Sequence, residues 1–421
     1  MIKIHRILAA PQVQILWLPI AKFQSVRIEF NFLAPQRYAQ TTQRRLLINL
    51  LQRSNHFLPT AAQFNRQLAN LYGTELTGQS IIYQNLNILS LALTVPVAHH
   101  LPALVPAAID LLLQTLTAPN IDSKQEQFVD NAWQLETTNL AHAYASLQDN
   151  YSLLAELAMK KILYQSNPDL NIPDFGVAEQ LTALTSMQTC SYYQKVIAQE
   201  PLIVTVVGDL PATVVDDLAQ RCQVFAYQAQ AIHLQKQALL SLPTQPVAQS
   251  DQLAIQQSQL VIAYRLPDDT SWPVSQVLNM MLGGDDQALL FQQVRERQSL
   301  AYSIYSNYNF YEHFLTIQAG VDAQQITAVQ NLVAAQIEHL ATQNLSDLLQ
   351  HAKQTLISEH LLASDRLAVH AHRLLLKNLN PAMIVTDDQY QQKINQVTLK
   401  QVQAVAGQLQ LLATYTLIGE S

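Results

Sequence analysis

The feature that most constrains the fold is one pattern that occurs in both halves of the chain. Each half closes on a helix, a hydrophobic strand and a glycine followed by an acidic residue, at Gly208-Asp209 and at Gly419-Glu420. The two glycines lie 211 residues apart in a chain of 421. A period this long predicts two similar domains rather than a solenoid of short repeats.

The order of elements within the repeat predicts the fold class. Alternating strands that end at Pro35 and Pro267 open the two halves, and each is followed by helix, paired strands and long helical stretches. We expect an α+β protein of two homologous domains, each a mixed, mainly antiparallel sheet with helices packed on one side. The predicted domains are residues 1–230 and 251–421, joined by a Gln-, Ser- and Pro-rich linker at residues 231–250.

Composition argues against several functional classes. The formal net charge is −7, with 24 basic and 31 acidic residues and no basic cluster, so nucleic acid is not expected as a partner. No apolar run reaches the length of a membrane span, and no membrane association is expected. The nine glycines form no GxGxxG or GxxxxGK(S/T) motif. Cys190 and Cys222 do not make a disulfide framework, which indicates a reducing, cytoplasmic location.

The segment Phe291–Ser306, FQQVRERQSLAYSIYS, is rich in charge and hydroxyls for a chain with only 13% charged residues. Taken alone, it is typical of an amphipathic helix that runs into a half-buried strand. However, Leu290–Ser303, LFQQVRERQSLAYS, resembles a segment of the form L-F-x-x-(I/V)-R-x-x-x-x-L-A-Y-S in the pitrilysin/insulinase family of zinc peptidases. The domain order extends this resemblance over nearly the whole chain. The branch that it resembles most is that of bacterial, mitochondrial processing peptidase-like enzymes.

The resemblance implies a role for Arg295 and Tyr302. In the family, this arginine and tyrosine contact the substrate backbone and the oxyanion that forms at the scissile carbonyl. We expect Asp285 or Asp286 to cap a helix that runs to about Arg297. An arginine late in that helix and a tyrosine early in the next strand can converge, and both are hydrogen-bond donors. Arg297 is the second candidate, because the family spacing of seven residues selects Arg295.

The zinc motif of the family, H-x-x-E-H on the first long helix of the N-terminal half, is missing. None of the twelve histidines belongs to such a motif. Counting back from the next helix, predicted at Ala61–Leu71, places Arg45 at the first histidine, Ile48 at the glutamate and Asn49 at the second histidine. A guanidinium cannot bind zinc, isoleucine cannot act as a base, and an asparagine oxygen is a poor zinc ligand. The chain is therefore expected to hold no zinc itself.

Two further features have counterparts in the family. Glu126 or Glu136 could match the distal glutamate ligand, but a single carboxylate cannot hold a catalytic zinc. An edge strand is expected to hold an extended peptide by strand addition. The predicted peptide-binding residues of that strand are Gly78, Gln79, Ser80 and Tyr83.

The remaining candidate residues have structural interpretations. His370 and His372 are two residues apart and point in different directions on a helix, whereas His99-His100 is expected in a loop. His56 has no carboxylate partner nearby in the sequence. Cys190 is expected to be buried, and Ser303 lacks the Gly-x-Ser-x-Gly pattern of a serine nucleophile.

The resemblance therefore implies a catalytically incomplete peptidase subunit. It would supply Arg295 and Tyr302 to a homologous subunit that carries zinc, in a heterodimer or by self-dimerisation, and the substrate would be a peptide. One alternative is a non-catalytic scaffold or chaperone-like protein, because some Gram-positive relatives are connected with modification of elongation factor P. A second alternative is an autonomous zinc peptidase with rearranged ligands.

Overall fold

The structure is a computed structural model that describes residues 4–97, 100–232, 234, 242–309, 312–380 and 386–419. The chain forms two compact units, and each combines segments that are distant in sequence. Unit 1 consists of Met1–Ala145, Ile172–Gln235 and Ser364–Ile384. Unit 2 consists of Ser146–Asn171, Lys236–Ala363 and Val385–Ser421.

Unit 1 is built on a six-stranded sheet in the order β1-β2-β8-β3-β5-β4. Its strands are β1 (His5–Ala10), β2 (Val13–Leu18), β3 (Ser25–Pro35), β4 (Glu75–Tyr83), β5 (Leu86–Pro96) and β8 (Leu202–Val207). All neighbouring strands are antiparallel except β2 and β8, which run parallel. A short hairpin of β6 (Ile121–Asp122) and β7 (Gln127–Phe128) lies outside this sheet.

Apart from the last one, the helices of unit 1 lie within the predicted N-terminal domain, residues 1–230. They are α1 (Thr41–Leu51), α2 (Ala61–Asn70), α3 (Leu104–Thr117), α4 (Asp130–Leu147), α6 (Ala178–Leu181), α7 (Ser186–Gln199), α8 (Ala212–Arg221) and α12 (Leu367–Leu379). Helix α4 ends two residues beyond the boundary of the unit. Helix α7, which precedes the last strand of this sheet in the sequence, begins at a capping box, since the Thr185 side chain accepts from the backbone N–H of Gln188.

Unit 2 is built on a five-stranded sheet in the order β11-β12-β10-β13-β9. Its strands are β9 (Val247–Leu253), β10 (Ser258–Arg265), β11 (Ala301–Asn309), β12 (Phe314–Val321) and β13 (Gln410–Gly419). Only β9 and β13 are parallel. Counted across the sheet from β4 in unit 1 and from β11 in unit 2, the strands of the two sheets follow one another in the same order. The sheet of unit 1 has one additional strand, β1, at its other edge. The predicted α+β class with two mainly antiparallel sheets is confirmed.

Most helices of unit 2 pack against a core formed by one face of this sheet. They are α9 (Trp272–Asn279), α10 (Ile326–Thr342), α11 (Ser346–Ala363), α13 (Asp387–Gln396) and α14 (Leu399–Ala406), whereas α5 (Tyr151–Leu163) lies on the other face. Alternate residues of β10, Leu260 and Ile262 among them, share this core with residues of α9 and α10 such as Val277 and Val333. Buried apolar residues recur every two positions in the strand and about every 3.6 positions in the helices, so the sequence alone predicts both kinds of element.

The second face of each sheet contacts a helix from the other half of the sequence. Helix α12, near the C-terminus, packs on β3 and β8 of unit 1, where His372 lies near Glu29. Helix α5 packs on β10 and β13 of unit 2, where Gln318 donates to the Ser152 hydroxyl at 2.7 Å. The compact units therefore differ from the contiguous domains drawn from the sequence. Helix periodicity identifies both helices but cannot assign them to a sheet.

The linker prediction also needs correction at its C-terminal end. Residues 247–250, placed in the linker, belong to strand β9, which pairs in parallel with β13. This strand is exposed along nearly its whole length, so its sequence lacks an alternating apolar pattern. Half of the preceding linker segment, residues 233 and 235–241, lies outside the described residues. Among the helices that the structure describes, none is long and apolar enough to cross a membrane.

Candidate functional site

Helix α1 carries the three residues that align with the zinc motif. Arg45 and Asn49 are one helical turn apart, and both are partly buried. Ile48 is buried, with 1% of its surface exposed. At position 48, buried apolar surface replaces the base of the motif. At position 45, a guanidinium replaces a metal ligand. These residues do not fit a zinc ion.

Ile48 packs on the edge strand β4. A Cβ atom on Gly78 would lie 2.5 Å from Cγ1 of Ile48, so only glycine allows the strand to approach the helix this closely. Gln52, the next residue along the same side of α1, accepts a hydrogen bond from the Gly78 N–H at 2.9 Å. The helix that aligns with the zinc motif is therefore fixed to β4 by one apolar contact and one polar contact.

The predicted peptide-binding residues lie on β4, at the edge of the sheet of unit 1. Gly78 and Ser80 face α1, whereas Gln79 is exposed on the opposite face. The Ser80 hydroxyl is buried and donates to Oδ1 of Asn87 at 2.9 Å, and Tyr83 is also buried. Of the four predicted residues, Gln79 alone offers an exposed side chain to an added strand.

Of the two candidate distal glutamates, only Glu136 is buried. It lies on α4 beside Arg53, with 3.3 Å between Oε1 and the Arg53 Nε. Burial raises the pKa of Glu136, and the Arg53 charge and a hydrogen bond from Asn139 lower it in part. Glu126 is exposed in the turn between β6 and β7, where its φ is 52°. Glu136 therefore has an arginine as its partner.

Arg295 lies on a helix that is wound differently from the prediction. The helical backbone starts at Leu289 rather than at Asp285, and Phe291–Arg297 is a π-helix. In a π-helix, residues four apart nearly align, and the Arg295 guanidinium lies over the Phe291 ring at 4.6 Å. The Arg295 side chain is 43% exposed, with a loose 3.8 Å contact to Glu296. Arg297 is also exposed and donates to Gln293 at 3.4 Å.

A tight turn joins this helix to the strand that carries Tyr302. Ser299 adopts a left-handed backbone with φ 50°, and the Leu300 N–H donates to the Val294 carbonyl at 3.0 Å. Asp285 does not cap the helix as expected. It accepts from the Gln287 N–H at 3.0 Å and contacts the His351 ring at 2.8 Å, which anchors the loop before the helix to α11.

Tyr302 is the extra residue of a β-bulge on the edge strand β11. Ala301 pairs with Val321 and Ser303 pairs with Gly320, so Tyr302 has no partner residue in the ladder. A bulge redirects a side chain, and Tyr302 is 61% exposed. Its hydroxyl donates to Oδ1 of Asp322 at 3.1 Å, and this hydrogen bond raises the pKa of Tyr302.

Comparisons with known proteins support the resemblance to zinc peptidases. A family model described as "Peptidase M16 inactive domain" matches residues 183–356. The "Probable inactive metalloprotease YmfF" of Bacillus subtilis (strain 168) is 23% identical over 407 residues, which cover 94% of each chain. A "conserved protein from Enterococcus faecalis V583" has a similar structure, with a TM-score of 0.91 at 25% identity over 99% of each chain.

Over residues 183–356 this chain matches the M16 peptidase family. The resemblance to pitrilysin-type peptidases drawn from the sequence is thereby confirmed. Another relative, the "Uncharacterized zinc protease YmxG" of Bacillus subtilis (strain 168), is 24% identical over 248 residues, or 58% of this chain and 59% of its own length. The similarity thus includes one protein named as inactive and one named as a zinc protease.

The candidate histidines that the structure describes do not belong to a metal-binding cluster. Within the described ranges, no three His, Cys, Asp or Glu side chains form a cluster that could hold a metal ion. His370 contacts the Ser364 carbonyl at 2.8 Å, and burial lowers the pKa of His372. His56 is exposed and packs edge-on to Phe57. His100 is exposed, and His99 lies outside the described residues.

The remaining sequence candidates also have structural roles or no partner. Cys190 and Cys222 are free and buried, as expected for Cys190, and burial raises the pKa of both thiols. Ser303 is exposed on β11 beside the bulge. Neither cysteine is placed as a reactive group.

Sequence reasoning missed a buried polar network around Arg44. Its guanidinium donates to Asn87 Oδ1 at 2.7 Å, to the Tyr192 hydroxyl at 2.9 Å, to the Glu200 carboxylate, and to the carbonyl of Phe32 at 3.2 Å. Burial alone would lower the pKa of Arg44, but the charge of Glu200 keeps it above its usual value. The signal was present, because Arg44 lies on the apolar stripe of α1. This network fixes α1 to the sheet.

Proposed function

We propose that this chain is the non-zinc subunit of a two-subunit M16 peptidase. It supplies Arg295 and Tyr302 as hydrogen-bond donors to a peptide that is cleaved at the zinc of a homologous partner subunit. The observation that carries the proposal is the exposure of both side chains. Arg295 is 43% exposed with only a 3.8 Å contact to an acidic neighbour, and Tyr302 projects from a bulge.

The chemistry of these two groups supports the role. Guanidinium and phenol are donors that can bind a peptide carbonyl and the negative oxygen that develops on it during cleavage. The Phe291 ring holds the Arg295 guanidinium from one side and leaves its other side to solvent. A donor that needs little rearrangement when charge develops contributes most to the transition state.

The zinc half of the site must then come from another chain. Arg45, Ile48 and Asn49 supply neither ligands nor a base, and Glu136 is paired with Arg53. We therefore infer a heterodimer with a homologous subunit that has an intact H-x-x-E-H motif. The matching strand orders of units 1 and 2 support an internal duplication, and the two buried free thiols support a cytoplasmic location.

The test is reconstitution with a zinc-bearing M16 subunit from the same genome. The mixture should cleave a quenched fluorescent peptide, whereas this chain alone should not. Arg295→Ala and Tyr302→Phe should each lower turnover on the order of a hundredfold, because one oxyanion donor is lost. Assembly, followed by size-exclusion chromatography, should be unchanged. Arg297→Ala is the matched control and should have a smaller effect.

A non-catalytic scaffold is the second candidate, and one observation favours it. The Tyr302 hydroxyl donates its hydrogen to Asp322, so it is not free to donate to a substrate in this conformation. Under this alternative, both half-site variants retain full activity in the mixed complex. Loss of the partner interaction or of elongation factor P modification in a deletion strain would then point to the scaffold role.

A further inference from the structure

The free edge of β4 is partly occupied by a side chain of the same chain. Among the strands that the structure describes, β5 alone pairs with β4, and the two run antiparallel without a bulge. The Gly78 N–H donates to Oε1 of Gln52 at 2.9 Å. One amide hydrogen can point to one side only, so the Gly78 N–H is directed away from β5, toward the free edge.

The alternation of an antiparallel pair extends this assignment along the strand. Residues two apart direct their N–H and C=O groups to the same side, so Leu76, Ser80 and Ile82 also present theirs to the free edge. An added strand would bond to this row. The Gln52 oxygen takes the place that a carbonyl of such a strand would need at Gly78.

The Gln52 side chain is held in place by the packing of α1. Gln52 is the C-terminal cap residue of α1, and its backbone N–H donates to the Ile48 carbonyl at 3.2 Å. Ile48 in turn contacts Gly78, where the absence of a Cβ atom permits the close approach. The side-chain amide is therefore already positioned on the strand before any peptide arrives.

We propose that Gln52 is an internal cap that competes with an added peptide strand for the Gly78 amide and so limits the affinity of this chain for extended peptides. This inference rests on the proposed function in one respect, because it takes a peptide as the ligand, and it takes the predicted edge strand β4 as the place where the peptide binds. The ligand class is an extended segment of unfolded polypeptide without sequence preference at this position, since only backbone groups are bonded.

Binding of fluorescein-labelled β-casein, an unfolded polypeptide, tests the proposal by fluorescence anisotropy on the full chain. Gln52→Met keeps the length of the side chain and removes the acceptor, so binding should become about fivefold tighter. Gln52→Glu provides a charged, stronger acceptor and should weaken binding by a similar factor. Gln43→Met, on the same helix and nine residues before Gln52, is the matched control and should leave the affinity unchanged.

Hydrogen exchange provides a readout that does not depend on peptide affinity. The Gly78 amide should exchange faster in Gln52→Met than in the wild type, and β-casein should slow exchange at Ser80 and Ile82. Unchanged exchange at Gly78, or equal affinities of the two Gln52 variants, overturns the proposal. If neither the wild type nor Gln52→Met binds β-casein, the proposal is also overturned. The reconstitution assay on Arg295 and Tyr302 is unaffected by that result. Self-association of Gln52→Met in light scattering also overturns it, because a second copy would then occupy the edge.

Discussion

Replacing Glu312 with glutamine should stabilise the protein at high pH and leave its stability at low pH nearly unchanged. Glu312 follows strand β11, which carries Tyr302, and its carboxylate accepts from the Asn309 side chain at 3.0 Å. Burial raises the pKa of Glu312 from its usual value of 4.5 to about 7, and the nearby charge of Lys160 offsets this only in part. A glutamine keeps the hydrogen-bond acceptor and carries no charge to desolvate.

The sign and size of the effect follow from these two pKa values. A carboxyl with a higher pKa in the folded chain holds its proton there while the unfolded chain has already released it. The folded state therefore loses stability as the pH rises from 4.5 to about 7. At about 1.4 kcal/mol for each pH unit in this window, the loss reaches about 3 kcal/mol above pH 7. The glutamine variant escapes this loss.

Urea unfolding of the wild type and of Glu312→Gln at pH 5 and pH 8 measures the difference. The gain in unfolding free energy should be small at pH 5 and about 3 kcal/mol at pH 8. Glu338→Gln, an exposed glutamate on α10 of the same unit, is the control and should show no such trend. A gain of equal size at both pH values would refute the reasoning, since only the ionised carboxylate carries the cost.

Two further outcomes follow from the polar groups of unit 1. Glu200→Gln leaves the buried Arg44 without its counterion and should destabilise the protein by about 3 kcal/mol in urea unfolding. Asp365→Asn removes one partner of an exposed ion pair and should cost less than about 1 kcal/mol. Comparable losses would contradict a buried-charge origin. The purified chain should carry no stoichiometric zinc after dialysis, because Arg45 and Asn49 occupy the ligand positions. About one bound zinc per chain by metal analysis would instead support the autonomous peptidase.

Much of the fold depends on signals between residues that are close in the sequence, and such signals can be predicted from the sequence alone. The strand Ser25–Pro35 has one face that enters the core, with Val26, Ile28 and Phe30 almost fully buried, and this face gives a period of two. Thr185 and Thr398 mark helix starts because a threonine side chain satisfies backbone N–H groups that the helix leaves free. These signals need no knowledge of distant residues.

The features that sequence could not predict depend on distant contacts or on backbone winding. Helix α12 has the same kind of apolar stripe as its neighbours, and nothing local shows that it packs on β3. The π-helix under Arg295 and the bulge at Tyr302 change which way these side chains point without changing the residue pattern. Both candidate donors could thus be named from the sequence, whereas their surroundings, Phe291 and Asp322, could not.

The contacts of helix α1 show that the loss of the zinc motif goes together with the packing of the whole helix and is not limited to three residues. Ile48 fills the space above Gly78, Gln52 bonds to the same glycine, and Arg44 fixes the other side of the helix to the sheet. An isoleucine buried to this extent contributes about 2–3 kcal/mol through the hydrophobic effect, so its packing favours a closed contact with β4. A helix held in this way is a structural element of unit 1. The two exposed donors of the proposed half-site, Arg295 and Tyr302, lie on unit 2 instead.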